Sequence, residues 1–168
     1  GNIYGGGGSG ARRNGNPNRN GGNGADGLVR VSWIPAYRAQ FTAMNVGSLT
    51  WFAGETRTVT VTVTNTGQAA WTDISQDINI GVKWNADADY LVRVDAAGLA
   101  PGASTTYTFT VTAPLTTGSN NLSFDVVREG DCWFGNNSGS CGPGNTIYTS
   151  SAITIEQSTF YFQGLGET

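Results

Sequence analysis

The sequence has no histidine and a single lysine, Lys83. Without an imidazole there is no Ser/His or Cys/His catalytic pair, no His-ligated zinc and no haem held by His, because each of those chemistries needs that ring. Basic residues are few: nine Lys and Arg stand against twelve Asp and Glu, for a net charge of −3. Phosphate affinity depends on dense basic patches, so no nucleic acid partner is expected. No apolar run reaches the length of about 18 residues that a membrane-crossing helix needs, so no membrane insertion is expected. The chain opens on Gly1 rather than Met, which suits a mature form whose targeting peptide is gone, or a fragment of a longer protein.

Cysteine is nearly absent too. Cys132 and Cys141 are the two present, set in a loop of Gly, Asn and Ser. That spacing suits a local disulfide and hence an oxidising compartment. Reduced thiols or half a metal site are the alternatives, but no third Cys and no His complete a tetrahedron. Closing so short a loop contributes about 2 to 3 kcal/mol.

What is abundant is glycine, 25 of 168 residues, concentrated at the start. Residues 1–27 are dominated by Gly and Asn, with Ile3 and Tyr4 as the sizeable apolar groups. Such a segment cannot bury enough surface to offset its ordering entropy and reads as a flexible arm. A neighbouring copy in an assembly is the simplest partner that would order it; packing on its own domain is the alternative.

From residue 28 to 156 the pattern has period two, with turn residues about every ten positions. The clearest strand is Thr58 to Thr64, where Val59, Val61 and Val63 face one side and Thr the other. Further inward rows are Ile78, Ile80, Val82 and Trp84; Tyr90, Val92 and Val94; Tyr107, Phe109 and Val111; Leu122, Phe124 and Val126; and Ile153 and Ile155. Val29, Val31 and Trp33, then Phe41 and Met44, supply one or two edge strands. Turns fall at Asn65-Thr-Gly67, Ala100-Pro-Gly102 and Thr117-Gly118. The expectation is an all-β, antiparallel sandwich of seven to nine strands with no helix of three turns. A short extension, residues 157–168, carries Phe160, Tyr161 and Phe162 and either continues the last strand or projects as an apolar hook.

The run from Phe41 to Trp71 and its continuation carry a resemblance. NTG followed by Trp71, a strand ending in Trp84, the Pro-Gly turn at 101–102 and REGDCWF ending at Phe134 closely resemble a widespread Ig-like module of bacterial cell-surface and secreted proteins. That module is similar to the four-tryptophan Ig-like domain of a selective-autophagy receptor. The likeness covers residues 38 to about 135. It implies an Ig-like sandwich used for binding, spacing or assembly, without catalysis and without a cofactor, and implies no particular ligand. The Gly/Asn arm, the Cys loop and the aromatic tail depart from it.

With strands B, C, E, F and G of that order at 57–65, 77–84, 104–112, 120–128 and 146–156, the B–C and F–G loops share one end of the sandwich. That end gathers Trp71, Asp73, Trp133 and Phe134. These residues either stack on a sugar or anchor a partner, or plug the open end of the core. Asp73, Asp77, Asp125, Glu129 and Asp131 approach the same end, but their spacing matches no calcium loop and reads as solvated turn acids and caps, so no metal is expected. By alternation Lys83 points outward. Asn121-Leu-Ser and Asn136-Asn-Ser are candidate glycosylation sequons.

Two functions follow. One is a non-catalytic structural subunit of an extracellular or cell-surface filament, sheath or layer. Ile3-Tyr4 or Phe160–Phe162 would anchor neighbouring copies by adding a strand to an exposed sheet edge. The other is a carbohydrate- or protein-binding accessory module of a larger secreted enzyme or adhesin. A hydrolase would rest on acids alone, with no nucleophile motif.

Overall fold

A computed structural model describes residues 33–71, 77–85, 87–137 and 139–158. Among these are eleven strands and no α-helix. They are β1 (Ala39–Asn45), β2 (Thr50–Phe52), β3 (Thr56–Asn65), β4 (Ile78–Trp84), β5 (Val92–Asp95), β6 (Ser104–Thr112), β7 (Gly118–Asn120), β8 (Leu122–Arg128), β9 (Cys132–Trp133), β10 (Tyr148–Thr149) and β11 (Ile153–Glu156). Seven span four residues or more, and β2, β7, β9 and β10 are short pieces that complete the edges. One layer has the order β1-β3-β6; facing it are β10-β8-β4-β5, with β9 on β8, and β2-β11-β7. The all-β Ig-like sandwich is thus the observed fold.

The details differ in three places. The expected last strand, 146–156, is two pieces. Ser150 breaks it by donating its N–H to the Leu122 carbonyl and accepting the Leu122 N–H on Oγ, after which β11 leaves β8 for β7 and β2. The β11–β2 pairing is parallel, the one departure from antiparallel order among the described strands. Trp33 lies in no strand and is 67% exposed. Val29 and Val31, the arm with Ile3 and Tyr4, and Phe160, Tyr161 and Phe162 lie outside the described residues.

β3 shows why alternation builds this body. Val59, Val61 and Val63 are fully buried while the Thr side chains between them stay partly exposed. β-Branched residues fit a pleated half-buried surface and lose little rotamer freedom there. Pairing with β6 runs without interruption from Thr56↔Thr112 to Thr64↔Ser104. Hydroxyls on the outer face meet across it: Thr56 with Thr112 at 2.9 Å, Thr62 with Thr106 at 2.8 Å and Thr64 with Ser104 at 2.6 Å.

The NTG turn after β3 is an internal fastening. Asn65 is fully buried, and its Nδ2 donates to the Ala69 and Leu99 carbonyls, each at 2.9 Å, while Oδ1 accepts the Gly67 N–H at 3.0 Å. A side chain at Gly67 would strike the Ala36 carbonyl oxygen at 2.3 Å, so the segment entering β1 can lie against the turn only because residue 67 has no Cβ. The interior between the layers holds Trp51, Trp71, Trp84, Phe109, Phe124 and Leu122. Trp51 and Trp84 meet edge-on at 5.5 Å. The Trp84 indole N–H donates to the Thr112 carbonyl and that of Trp51 to Ser48, so these two rings are buried with their polar atoms satisfied, whereas the Trp71 indole nitrogen is buried with no partner among the described residues.

Candidate functional site

The B–C and F–G loops do meet, through Trp71 and Phe134, whose rings pack edge-on at 5.7 Å. Both are interior, at 0% and 1% exposure, so neither has a face for a ligand. Backbone bonds hold Trp71 against the E-side turn: its N–H donates to Leu99 and its carbonyl accepts from Gly98. Asp73 lies outside the described residues. Of the four aromatic and acidic residues expected at this end, Trp133 is the described one with a ring at the surface, and it turns away from Trp71.

The loop beyond Trp133 is a knot of polar contacts. Cys132 and Cys141 form a disulfide. Buried Asn145 accepts the Ala39 N–H on Oδ1 at 2.8 Å and donates Nδ2 to the Cys141 carbonyl at 2.6 Å. Asn137, in the left-handed region at φ 50°, accepts the Asn145 N–H and donates Nδ2 to the carbonyls of Gly135 and Asn145. Asn tolerates that conformation better than other residues with a Cβ. Asp131 receives Arg128 at 2.7 Å and the Ser140 hydroxyl; these bonds hold its carboxyl below the usual range. The Gly, Asn and Ser composition therefore supplies donors, acceptors and unusual backbone angles to a fixed loop.

Under this loop lies Asp125, 1% exposed, on β8. Its carboxylate accepts the Val126 N–H at 2.8 Å and the Gly135 N–H at 2.9 Å. Burial pushes its pKa up to about 6, while the two backbone bonds pull the other way. The carboxyl ties the F–G loop to the sheet. Among the described residues it has no His, Cys or hydroxyl partner that would make it half of a catalytic pair.

On the outer face of the β5-β4-β8 sheet the structure assembles a group that alternation does not reveal. Tyr90 and Trp133 stack at 4.1 Å and 16°. Lys83 Nζ stands 5.1 Å from the Tyr90 ring centre and the Arg93 guanidinium 5.0 Å from that of Trp133. Arg93 Nη1 also donates to both oxygens of Glu129, at 2.7 and 2.8 Å. The stack lies flat because of Gly81, where a Cβ would meet Tyr90 at 2.8 Å and Trp133 at 3.0 Å. Tyr90 thus leaves the inward row expected with Val92 and Val94: β5 begins at Val92, and the irregular residues before it release the phenol to the outer face. Burial, and then the Asp125 charge, raise the Tyr90 pKa. Lys83, Tyr90, Arg93, Asp125 and Trp133 border a shallow cavity of about 240 Å³. Tyr90 stacks on the indole of Trp133 and Arg93 stands over it, so this chain's own side chains engage the ring that a sugar would stack upon.

Lys83 faces outward as expected and donates toward the carbonyls of Asp87 and Ala88 at 3.3 and 3.4 Å. Glu129 and Asp131 are drawn off by Arg93 and Arg128, and among the described residues no group of three or more metal-ligating side chains is found. Of the two sequon asparagines, Asn121 is half-buried and donates Nδ2 to the Ser150 carbonyl at 2.8 Å, while Asn136 is exposed.

Comparison with known proteins fits this architecture. The CARDB family model matches residues 38–132. Among solved structures, the CARDB domain of a Pyrococcus furiosus protein in complex with di-metal ions is 16% identical, with a TM-score of 0.48, over 77% of this chain and 100% of that one. Alpha-2-macroglobulin from Escherichia coli, spanning domain MG7 to the C-terminus, is 18% identical with a TM-score of 0.41, over 73% of this chain and 17% of that one. The sporulation control protein Spo0M of Bacillus subtilis is 15% identical with a TM-score of 0.40, over 72% and 50%. No curated protein matches the sequence.

Proposed function

Because the chain belongs to the CARDB family, whose β-sandwich domains are non-catalytic and usually occur in surface or secreted proteins, we propose that it is a structural subunit of an extracellular or cell-surface assembly whose terminal segments contact neighbouring copies. The observation that carries this reading is at the chain's entry into the sandwich. Trp33 and Ile34 stand 67% and 49% exposed, an apolar pair adjacent in sequence that follows the Gly/Asn-rich stretch of residues 1–27 and the alternating segment after it. Exposed apolar residues grouped at one place mark an interaction surface. The disulfide is compatible with an oxidising, extracellular setting.

The tryptophan pattern that resembles the four-tryptophan domain fits a binding module as well, and a protein partner other than a second copy would use the same exposed residues. A carbohydrate-binding reading draws less support, since Trp71 is buried and Trp133 is flanked by Tyr90 and Arg93. The test is the mass of the full chain in solution beside that of a chain lacking residues 1–32. Assembly of the first and a folded monomer of the second support the reading; equal assembly by both contradicts it.

A further inference from the structure

Among the described residues, one edge of the sandwich is left unpaired. β6 pairs with β3 on one side and with nothing on the other among the described residues. The pairing phase tells which of its amides are free. Asn65 donates to Ala103 and Ala113 donates to Glu55, so the hydrogen-bonded pairs are those of odd number: 105, 107, 109 and 111 face β3. The N–H and C=O groups of Thr106, Thr108 and Thr110 point out along the free edge, and no partner for them occurs among the described residues. Natural edges are blunted by Lys, Pro, bulges or a covering element. β6, STTYTFTVT, carries no Lys or Pro and pairs with β3 without a bulge, and no covering element occurs among the described residues. The other long edge strand, β1, carries a register shift between Phe41 and Ala43.

The sandwich is also open beside this edge. Val92 and Val94 of β5 and Tyr107 of β6 face the core yet are only half-buried. A strand laid against β6 would bury the core-facing side of its own alternation over these three residues.

We infer that the free edge of β6 accepts residues 28–34 of a second copy as an added antiparallel or parallel strand. This rests on the assembly reading above and names its acceptor. The segment Leu28-Val-Arg-Val-Ser-Trp-Ile34 alternates Val29, Val31 and Trp33 against Arg30 and Ser32, the pattern a half-buried strand requires. Its last two residues are exposed on their own body. The donor is a second copy because Pro35 and Ala36 accept backbone bonds from Gln68 and Ala69 and lead directly into β1, and β1 and β6 lie on opposite sides of β3. Main-chain hydrogen bonds would supply the affinity and the apolar alternation its register.

The edge can be blocked without touching the fold. Thr108→Pro removes an N–H that β3 does not use, at the kind of outward position where an edge strand tolerates proline. Val31→Asp changes the donor outside the described body. Both are made in the full chain, with circular dichroism and thermal melting as folding controls and mass photometry as the readout. Each is expected to lower the assembled fraction at fixed concentration by about tenfold or more, since Pro at 108 removes an outward N–H and its ring obstructs an added strand, and Asp at 31 would bury a charge against the core-facing side of the edge. If the unaltered chain assembles and folded Thr108→Pro assembles equally, β6 is not the acceptor and the inference fails while the assembly reading stands. If Thr108→Pro is monomeric but Val31→Asp assembles, β6 receives another strand and the named donor is wrong. Should Thr108→Pro not fold, Val31→Asp together with Thr106→Pro decides by the same outcomes. An unaltered chain that stays monomeric overturns both readings.

Discussion

The phenol of Tyr90 lies on the indole of Trp133, 4.1 Å away and 16° from parallel, with Lys83 beyond one ring and Arg93 over the other. This places Trp133 in a cation-flanked stack on the outer face of the sheet and leaves Trp71 to the core. The two tryptophans of the loop end therefore have different energetic weights.

Trp71→Ala removes a fully buried ring that packs on Phe134 and is expected to cost roughly 3 to 5 kcal/mol. Trp133→Ala removes a half-buried stacking partner and should cost about 1 to 2 kcal/mol. Urea unfolding of both variants checks the ordering; a Trp133 loss equal to that of Trp71 would contradict it.

Asn65→Ala strips the donors from the Ala69 and Leu99 carbonyls and the acceptor from the Gly67 N–H. Leaving such groups buried and unpaired costs on the order of 3 kcal/mol or more in sum. Thermal melting should show a clear drop, larger than for the surface change Thr62→Ala, whose loss should stay within about 1 kcal/mol.

Much of this was legible in the sequence. Val59, Val61 and Val63 announce β3 because period two admits one buried face, and the Cys pair announces its disulfide because no other ligand is present. Asn65 is visible as a turn residue but not as a buried hub, since its partners Ala69 and Leu99 are brought to it by tertiary packing. The Tyr90 stack is hidden for a further reason. It depends on the register that sets Gly81 opposite Arg93 and Asp125, and on the strand beginning two residues after Tyr90. The sites at Ile3, Tyr4 and Phe160–Phe162 lie beyond what the structure describes.

Asp125 gives a pH dependence of definite sign. Its folded pKa, about 6, is above the ordinary 3.8, so between those values the folded chain holds more protons than the unfolded one and stability falls as pH rises. The fall should be on the order of 2 to 3 kcal/mol from pH 4 to pH 7 and level off above. Asp131 and Glu55 are shifted downward, so their stabilisation is lost only as pH falls through their lowered values, at the acid side of this window. Asp125→Asn should flatten the profile between pH 4 and 7, as followed by chemical denaturation at each pH; an unchanged slope would assign it to another group.

Reduction of the Cys132–Cys141 bond, or Cys141→Ser, should lower stability by about 2 to 3 kcal/mol. Melting with and without a reductant measures it, and a reductant-insensitive melting temperature would contradict a stabilising role.

The most direct test of the central claim is electron microscopy of the full chain with mass photometry beside it. Regular fibres or sheets built from the Ig-like body are the expected result. A uniform population of 17.6 kDa monomers at every concentration tried would contradict it.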